Sequence, residues 1–203
     1  MQQPENQDAF SYEDSLKVIT QMIEQAKDRV LSDGFDYMLW GAFVCCAALA
    51  QYFLINAGVG YHWLGWTILM PLGAIITFFR NYACRKRREV KLAVMDIYLS
   101  VLMAFLVSLC IIIFSFSALG YKYGLGVILV LYGLWIFISG RIFKFTPFVL
   151  GAVVNWVGSI LVFNFLDYHN TLLTVAAGAI FGYLIPGYLL RREVKMKKRS
   201  LAY

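Results

Sequence analysis

The chain has 203 residues, of which 61% are hydrophobic and 15% charged, and its formal net charge is +6. Soluble domains are nearer about 45–50% apolar, and the mean hydropathy of +0.67 excludes an ordinary soluble domain for most of the length. The basic residues flank apolar blocks and lack the interleaved aromatics of a nucleic-acid surface, so no nucleic acid is expected as a partner.

Residues 1–10 read as a polar leader. Ser11 and Asp14 resemble a capping box. Tyr12, Leu16, Ile19, Ile23, Ala26 and Val30 then alternate spacings of four and three, a short heptad stripe. The pattern predicts an amphipathic helix over 12–32, stopped by Gly34. Residues 1–35 hold seven acids against three bases. An interfacial anchor is rich in Lys and Arg, so this acidic head is expected to seek a protein surface. Its docking face is Leu16, Ile19, Ile23 and Val30. The candidate surfaces are a second copy in a homodimer, the basic cytoplasmic loop, another protein, or its own bundle.

Six apolar blocks follow, 37–56, 61–79, 97–118, 123–143, 146–166 and 170–190. Each has about the length of 20 residues that crosses a bilayer core of roughly 30 Å. The expected fold is therefore all-α: a polytopic membrane protein with six transmembrane helices and an N-terminal cytoplasmic amphipathic helix. The head would cover 1–35, the bundle 36–191 and a basic cytoplasmic tail 192–203. The first block starts behind an acidic leader, unlike a signal peptide.

In the first block, Tyr37 and Trp40 suit the interface level, and Ala42, Cys46 and Ala50 form a small-residue stripe. Gln51 falls near its outer end. Gly58 and Gly60 lack the Gly-Lys-Ser/Thr ending of a phosphate loop. Pro71 and Gly73 predict a kink in the second block. That block runs into a basic cluster, and Arg85, Lys86, Arg87 and Arg88, with Arg191 and Arg192 in the tail, are expected to meet anionic lipid headgroups, each for about 1 kcal/mol. Arg-Arg-Glu-Val-Lys occurs at 87–91 and again at 191–195, but the preceding prolines do not align and no duplication is read. Cys45, Cys46, Cys84 and Cys110 contain no C-x-x-C pair and are expected to pack as small apolar residues.

Residues 125–166 carry two spans with almost no loop between them. Gly126, Gly133 and Gly140 recur every seven residues, near one helix face. Gly151, Asn155, Gly158 and Val162 share a face of the next span. Helices in lipid associate through small residues, so a close-packed antiparallel hairpin is expected at the centre. Thr146 is the predicted N-cap of the fifth span, with Pro147 at its first position. Gly178 and Gly182 give the last span another small face.

All but one of the 18 Lys and Arg residues fall on one side of this topology, Lys122 being the exception. The positive-inside rule then places both termini in the cytoplasm. Gly34-Phe35-x-Tyr37-x-Leu39-Trp40-Gly41, Ile138-Ser139-Gly140 with Lys144-Phe145-x-Pro147, the acidic head and Pro186-Gly187 together resemble a group of uncharacterised six-span bacterial inner-membrane proteins. The resemblance implies the topology and a bacterial cytoplasmic membrane. It carries no activity.

No nucleophile–base pair, zincin motif or nucleotide fingerprint occurs, so neither an enzyme nor a bound cofactor is expected. His62, Asp167 and His169 are the only candidate set for a metal, on the outer side. Asn155 lies near mid-bilayer and, with Gln51, Arg141 and Asp96, forms the candidate set for an intramembrane polar site, since polar groups in lipid usually face the bundle or a cavity. Two functions follow. One is a non-enzymatic interaction or regulatory module acting through its head and basic loops. The other is small-solute binding or transport at a midplane site near Asn155. Six spans and this length resemble the vitamin-capturing subunits of ECF transporters, an analogy of fold alone.

Overall fold

Apolar segments without water satisfy their backbone groups internally, and for a single segment the helix does so. The computed structural model describes residues 34–85 and 93–200, and every regular element among them is helical. The elements are α1 (Phe35–Asn56), α2 (Leu64–Arg85), α3 (Ala93–Phe114), the single turn α4 (Phe116–Leu119), α5 (Tyr121–Phe143), α6 (Thr146–Asn164), α7 (Tyr168–Ala179), a π turn (Ile180–Leu184) and α8 (Ile185–Ser200). The helix expected over 12–32, its docking face of Leu16, Ile19, Ile23 and Val30, and Lys86, Arg87 and Arg88 lie outside the described residues.

Among the described residues, five helices are long and apolar enough to cross a membrane: Phe35–Asn56, Asp96–Phe114, Tyr121–Phe143, Thr146–Asn164 and Tyr168–Met196, with Leu64–Arg80 a shorter apolar stretch within α2. The chain is therefore an all-helical protein built for membrane insertion. Contacts between helix ends fix an up-and-down arrangement. At one end the Arg80 guanidinium lies 3.6 Å from the Asp36 carboxylate, the Tyr37 and Tyr98 hydroxyls are 3.2 Å apart, and the Tyr98 ring packs on Phe143. We call this the basic end. At the far end Gln51 meets His62 and Tyr168, and Tyr121 packs beside Tyr168.

α5 and α6 form the most extensive helix–helix interface, a hairpin closed by Lys144 in the left-handed conformation at φ 51°. The glycine face of α5 is turned toward α6: a Cβ at Gly126 would meet Phe163, at Gly133 Trp156, and at Gly140 Phe148 and Val149. α1 covers the opposite flank, packed on α7, the π turn and α8. α2 packs chiefly on α1, and α3 chiefly on α5, so both stand outside a four-stave core.

Several boundaries differ from the sequence expectation. α3 stops at Phe114, where the Ser115 hydroxyl donates to the Ile111 carbonyl at 2.8 Å, and α4 is a separate turn ended by Gly120 at φ 80°. Phe145, not Thr146, caps α6, which moves Pro147 to the second helical position. The last helix does not stop near residue 190 but continues to Ser200. The packed face of α1 is Gly41, Val44, Cys45, Ala48 and Gln51. The expected stripe of Ala42, Cys46 and Ala50 does not form it: Cys46 is exposed, while Ala50 lies beside Gly65 of α2. Cys45 is buried and Cys110 exposed, all three as free thiols.

Candidate functional site

Asn155, a fully buried polar residue of α6, lies where α6 crosses the last helix. Gly151, Asn155 and Gly158 are two turns of one α6 face, and each faces the α7–π segment. A Cβ on Gly151 would lie 2.8 Å from the Gly182 Cα and 2.8 Å from the Phe181 carbonyl oxygen. Such backbone-to-backbone approach is open only to glycine. It brings the Asn155 amide, fully buried, against Gly178 and Gly182.

Asn155 Nδ2 donates to the Gly151 carbonyl at 2.9 Å, one turn back on α6, and to the Gly178 carbonyl at 3.2 Å across the interface. Both amide protons are thereby used, and these two acceptors fix the orientation of the amide. The Oδ1 atom is buried and has no donor among the described residues. The π turn begins two residues beyond Gly178. π turns insert a residue into a helix and often mark functional positions. Toward the far end, Ser159 donates to the Gly126 carbonyl at 3.0 Å and Trp156 Nε1 to the Val130 carbonyl at 3.3 Å, so α6 is also stitched to α5.

Gln51 belongs to a different cluster. At the far end its Nε2 donates to Tyr168 Oη at 2.9 Å and approaches His62 Nδ1 at 3.1 Å, while Trp66 Nε1 donates to its Oε1 at 2.6 Å. The carboxamide thus ties α1 to α2, to the loop before it and to the start of α7. His169 packs its ring 4.1 Å from Tyr52. Asp167 caps α7, accepting from the Asn170 backbone N–H at 3.3 Å and from the Asn170 side chain at 2.7 Å. The backbone hydrogen bond from Asn170 chiefly holds this carboxyl below the usual carboxylate range.

The geometry therefore separates residues that the sequence grouped. Asn155 is a buried bridge, Gln51 is the centre of the far-end cap, Arg141 is exposed in the last turn of α5, and Asp96 is exposed near the start of α3. They do not form one intramembrane site. His62, Asp167 and His169 each have another partner, and no three His, Cys, Asp or Glu residues among those described are placed to hold a metal. Arg191 and Arg192 are exposed at the root of the α8 extension, and Arg85 ends α2.

Two features escaped the sequence reading. One is the aromatic cluster at the basic end. Tyr37 packs on Phe148 at 4.6 Å, Tyr98 on Trp135 at 5.3 Å, and Tyr132 on Tyr183 at 5.5 Å. The clustering of Tyr and Trp was visible in the composition, but their convergence needs the helix order. The other is the junction where Gly34, at φ 54°, lies against the last helix. Its Cβ would overlap the Gly187 carbonyl and sit 3.4 Å from the Arg191 nitrogen. The sequence presents Gly34 as a helix stop and as part of the resemblance motif, but not as a contact of the last helix, because that partner is distant in sequence. No family model matches the chain, and no curated protein or solved structure is significantly similar to it.

Proposed function

We propose that the chain is a six-span, non-enzymatic protein of the bacterial inner membrane, with both termini cytoplasmic, acting as an interaction or regulatory module through its acidic head and basic loops. The observation that carries this reading is the internal use of the mid-bundle polar group: both Asn155 amide protons go to glycine carbonyls of the protein itself. Its role is then to join helices, which leaves recognition to the parts outside the core. The near-complete segregation of basic residues supports the orientation. Anionic headgroups are the lipid partners assigned to Arg85, Arg191 and Arg192, and to Lys86, Arg87 and Arg88 in the loop.

Two experiments test it. In a chain with its native cysteines replaced, an impermeant thiol reagent added outside cells should label cysteines placed at Val59 and His169, and spare those at Lys86 and Lys197. Labelling of Lys86→Cys from outside would overturn the topology. Ile19→Asp with Ile23→Asp should then weaken self-association or partner recovery. Unchanged oligomeric state and partners would remove the head from the proposal.

A second reading, a small-solute site, draws on the buried Asn155 Oδ1, which has no donor among the described residues, and on the adjacent π turn. A folded Asn155→Leu protein that loses solute binding or uptake would favour it, because a site built to offer a polar partner rejects ligands once that partner is gone.

A further inference from the structure

At the far end the hydrogen bonds decide which nitrogen of His62 carries its proton. Trp66 Nε1 can only donate, and it lies 2.6 Å from Gln51 Oε1. Turning the carboxamide over would set its NH2 group against that N–H, so the place of Oε1 is fixed. The two protons on Gln51 Nε2 then face Tyr168 Oη at 2.9 Å and His62 Nδ1 at 3.1 Å. His62 Nδ1 must accept one of them. The imidazole is therefore neutral, with its proton on Nε2.

His62 sits in the loop of residues 57–63 that joins α1 to α2. The Gly58 and Val59 N–H groups bond back to the Ile55 and Leu54 carbonyls of α1, and Leu64 bonds back to Tyr61. Among the described residues, His62 is the loop side chain that hydrogen-bonds across to α1. Gln51 is only 6% exposed, whereas His62 is half-buried between exposed Tyr61 and Trp63. Water thus reaches the imidazole, while the amide it accepts from stays inside the bundle.

Protonation places a hydrogen on Nδ1 as well. An N–H would then point at an NH2 group, and the contact turns from attraction to repulsion. Gln51 cannot answer by turning over, because Trp66 holds its oxygen. The loop has room to move, since a Cβ at Gly58 or Gly60 would meet nothing within 4 Å.

We propose that His62 and Gln51 form an acid-released latch. Neutral His62 holds the 57–63 loop on α1 beside the start of α7, and protonation frees it. The latch is closed above the range in which imidazoles change charge, about pH 5 to 8, and is lost as pH falls through that range. Around it stand Tyr61 in the loop, Tyr52 on α1, Asp167, Tyr168 and His169 at the start of α7, and Tyr121 on α5, while Lys122 is turned onto Tyr123. Phenols and ammonium groups keep their protons across this range. The Asn170 hydrogen bonds hold the Asp167 carboxyl below its ordinary value, so it stays ionised. His169 is the other group that can change charge, and its ring lies against Tyr52, not Gln51. In the orientation proposed above the far end meets the outer medium, but the latch works by the same chemistry on either side.

The test uses the full chain in nanodiscs, with native cysteines replaced and spin labels at Val59→Cys in the loop and Phe165→Cys beyond α6, both exposed positions. The distance between the labels should have one narrow distribution at about pH 8, and a longer, broader population should take its place at about pH 5. His62→Asn sets an amide oxygen in the place of Nδ1 and cannot titrate, so it should stay narrow at both. His62→Phe offers no acceptor and should be broad at both. His169→Phe should switch as the parent does. The latch is overturned by a parent distance that ignores pH, by a His62→Asn protein that is broad or still switches, or by a His62→Phe protein that stays narrow. A His169→Phe protein that no longer switches would also overturn it and move the sensor to the start of α7.

Discussion

At the scale of single residues, what a position can accept is set by the neighbour a methyl group would strike. Gly151 faces backbone atoms of the last helix that cannot turn aside, and a Cβ on Gly182 would lie 2.5 Å from Asn155 Nδ2 and 2.8 Å from Ile136 Cδ1. Gly151→Ala should force α6 from the π turn and cost about 1–3 kcal/mol in detergent unfolding, the usual penalty of overpacking. Gly60→Ala, with nothing within 4 Å, should stay within about 0.5 kcal/mol. Equal effects would show that the contact at Gly151 is not tight. Asn155→Leu removes two hydrogen bonds at similar volume and should cost on the order of 1 kcal/mol. Asp167 supplies the pH prediction. Its carboxyl is held below its ordinary range by the Asn170 hydrogen bonds, so its contribution is full above the unfolded value and lost as pH falls through the folded one. Asp167→Ala should lower the unfolding temperature at neutral pH, and the difference should shrink toward zero in strong acid. A constant difference would remove the ionised cap from the account.

At the scale of elements, the α5–α6 hairpin was legible because its glycines recur at helical spacing against large residues elsewhere. Gly133→Leu should displace Trp156 and lower the unfolding temperature well below that of Gly60→Ala, since a packed interior has few voids to absorb the added side chain. The α1 face was not legible. Small residues surround that helix, so Ala42, Cys46 and Ala50 offered as good a stripe as Gly41, Cys45 and Ala48, and only the partner helices decide between them. The helical tail was missed for another reason: hydropathy measures what enters lipid, whereas Arg and Lys are themselves good helix formers. The π turn has no sequence signature here and became visible only against Asn155. Deleting Ile180 would leave an uninterrupted α-helix but rotate everything beyond it by roughly one residue's turn. Gly187 would then leave Gly34, and unfolding temperature should fall. A deletion as stable as the parent would make the π turn dispensable.

At the scale of the whole molecule, the bundle is a core with two outriggers. α2 leans on α1 and α3 on α5, and none of the Asp96–Phe114 span is buried inside the protein, so lipid must cover most of both. Amide exchange in detergent should therefore be fastest in α2 and α3 and slowest in α5 and α6, following the gradient of local contact. Uniform exchange would argue for one cooperative unit. The same contacts bear on the order in which the protein assembles. The first span leaves the ribosome with its Gly41 to Gln51 face bare, and the helices that cover that face are synthesised last. Gln51 can recruit Trp66 early, yet its bond to Tyr168 waits until more than 100 further residues have been made. Throughout synthesis α1 is an incomplete stave held by α2 alone, and arrival of the final helix closes the ring.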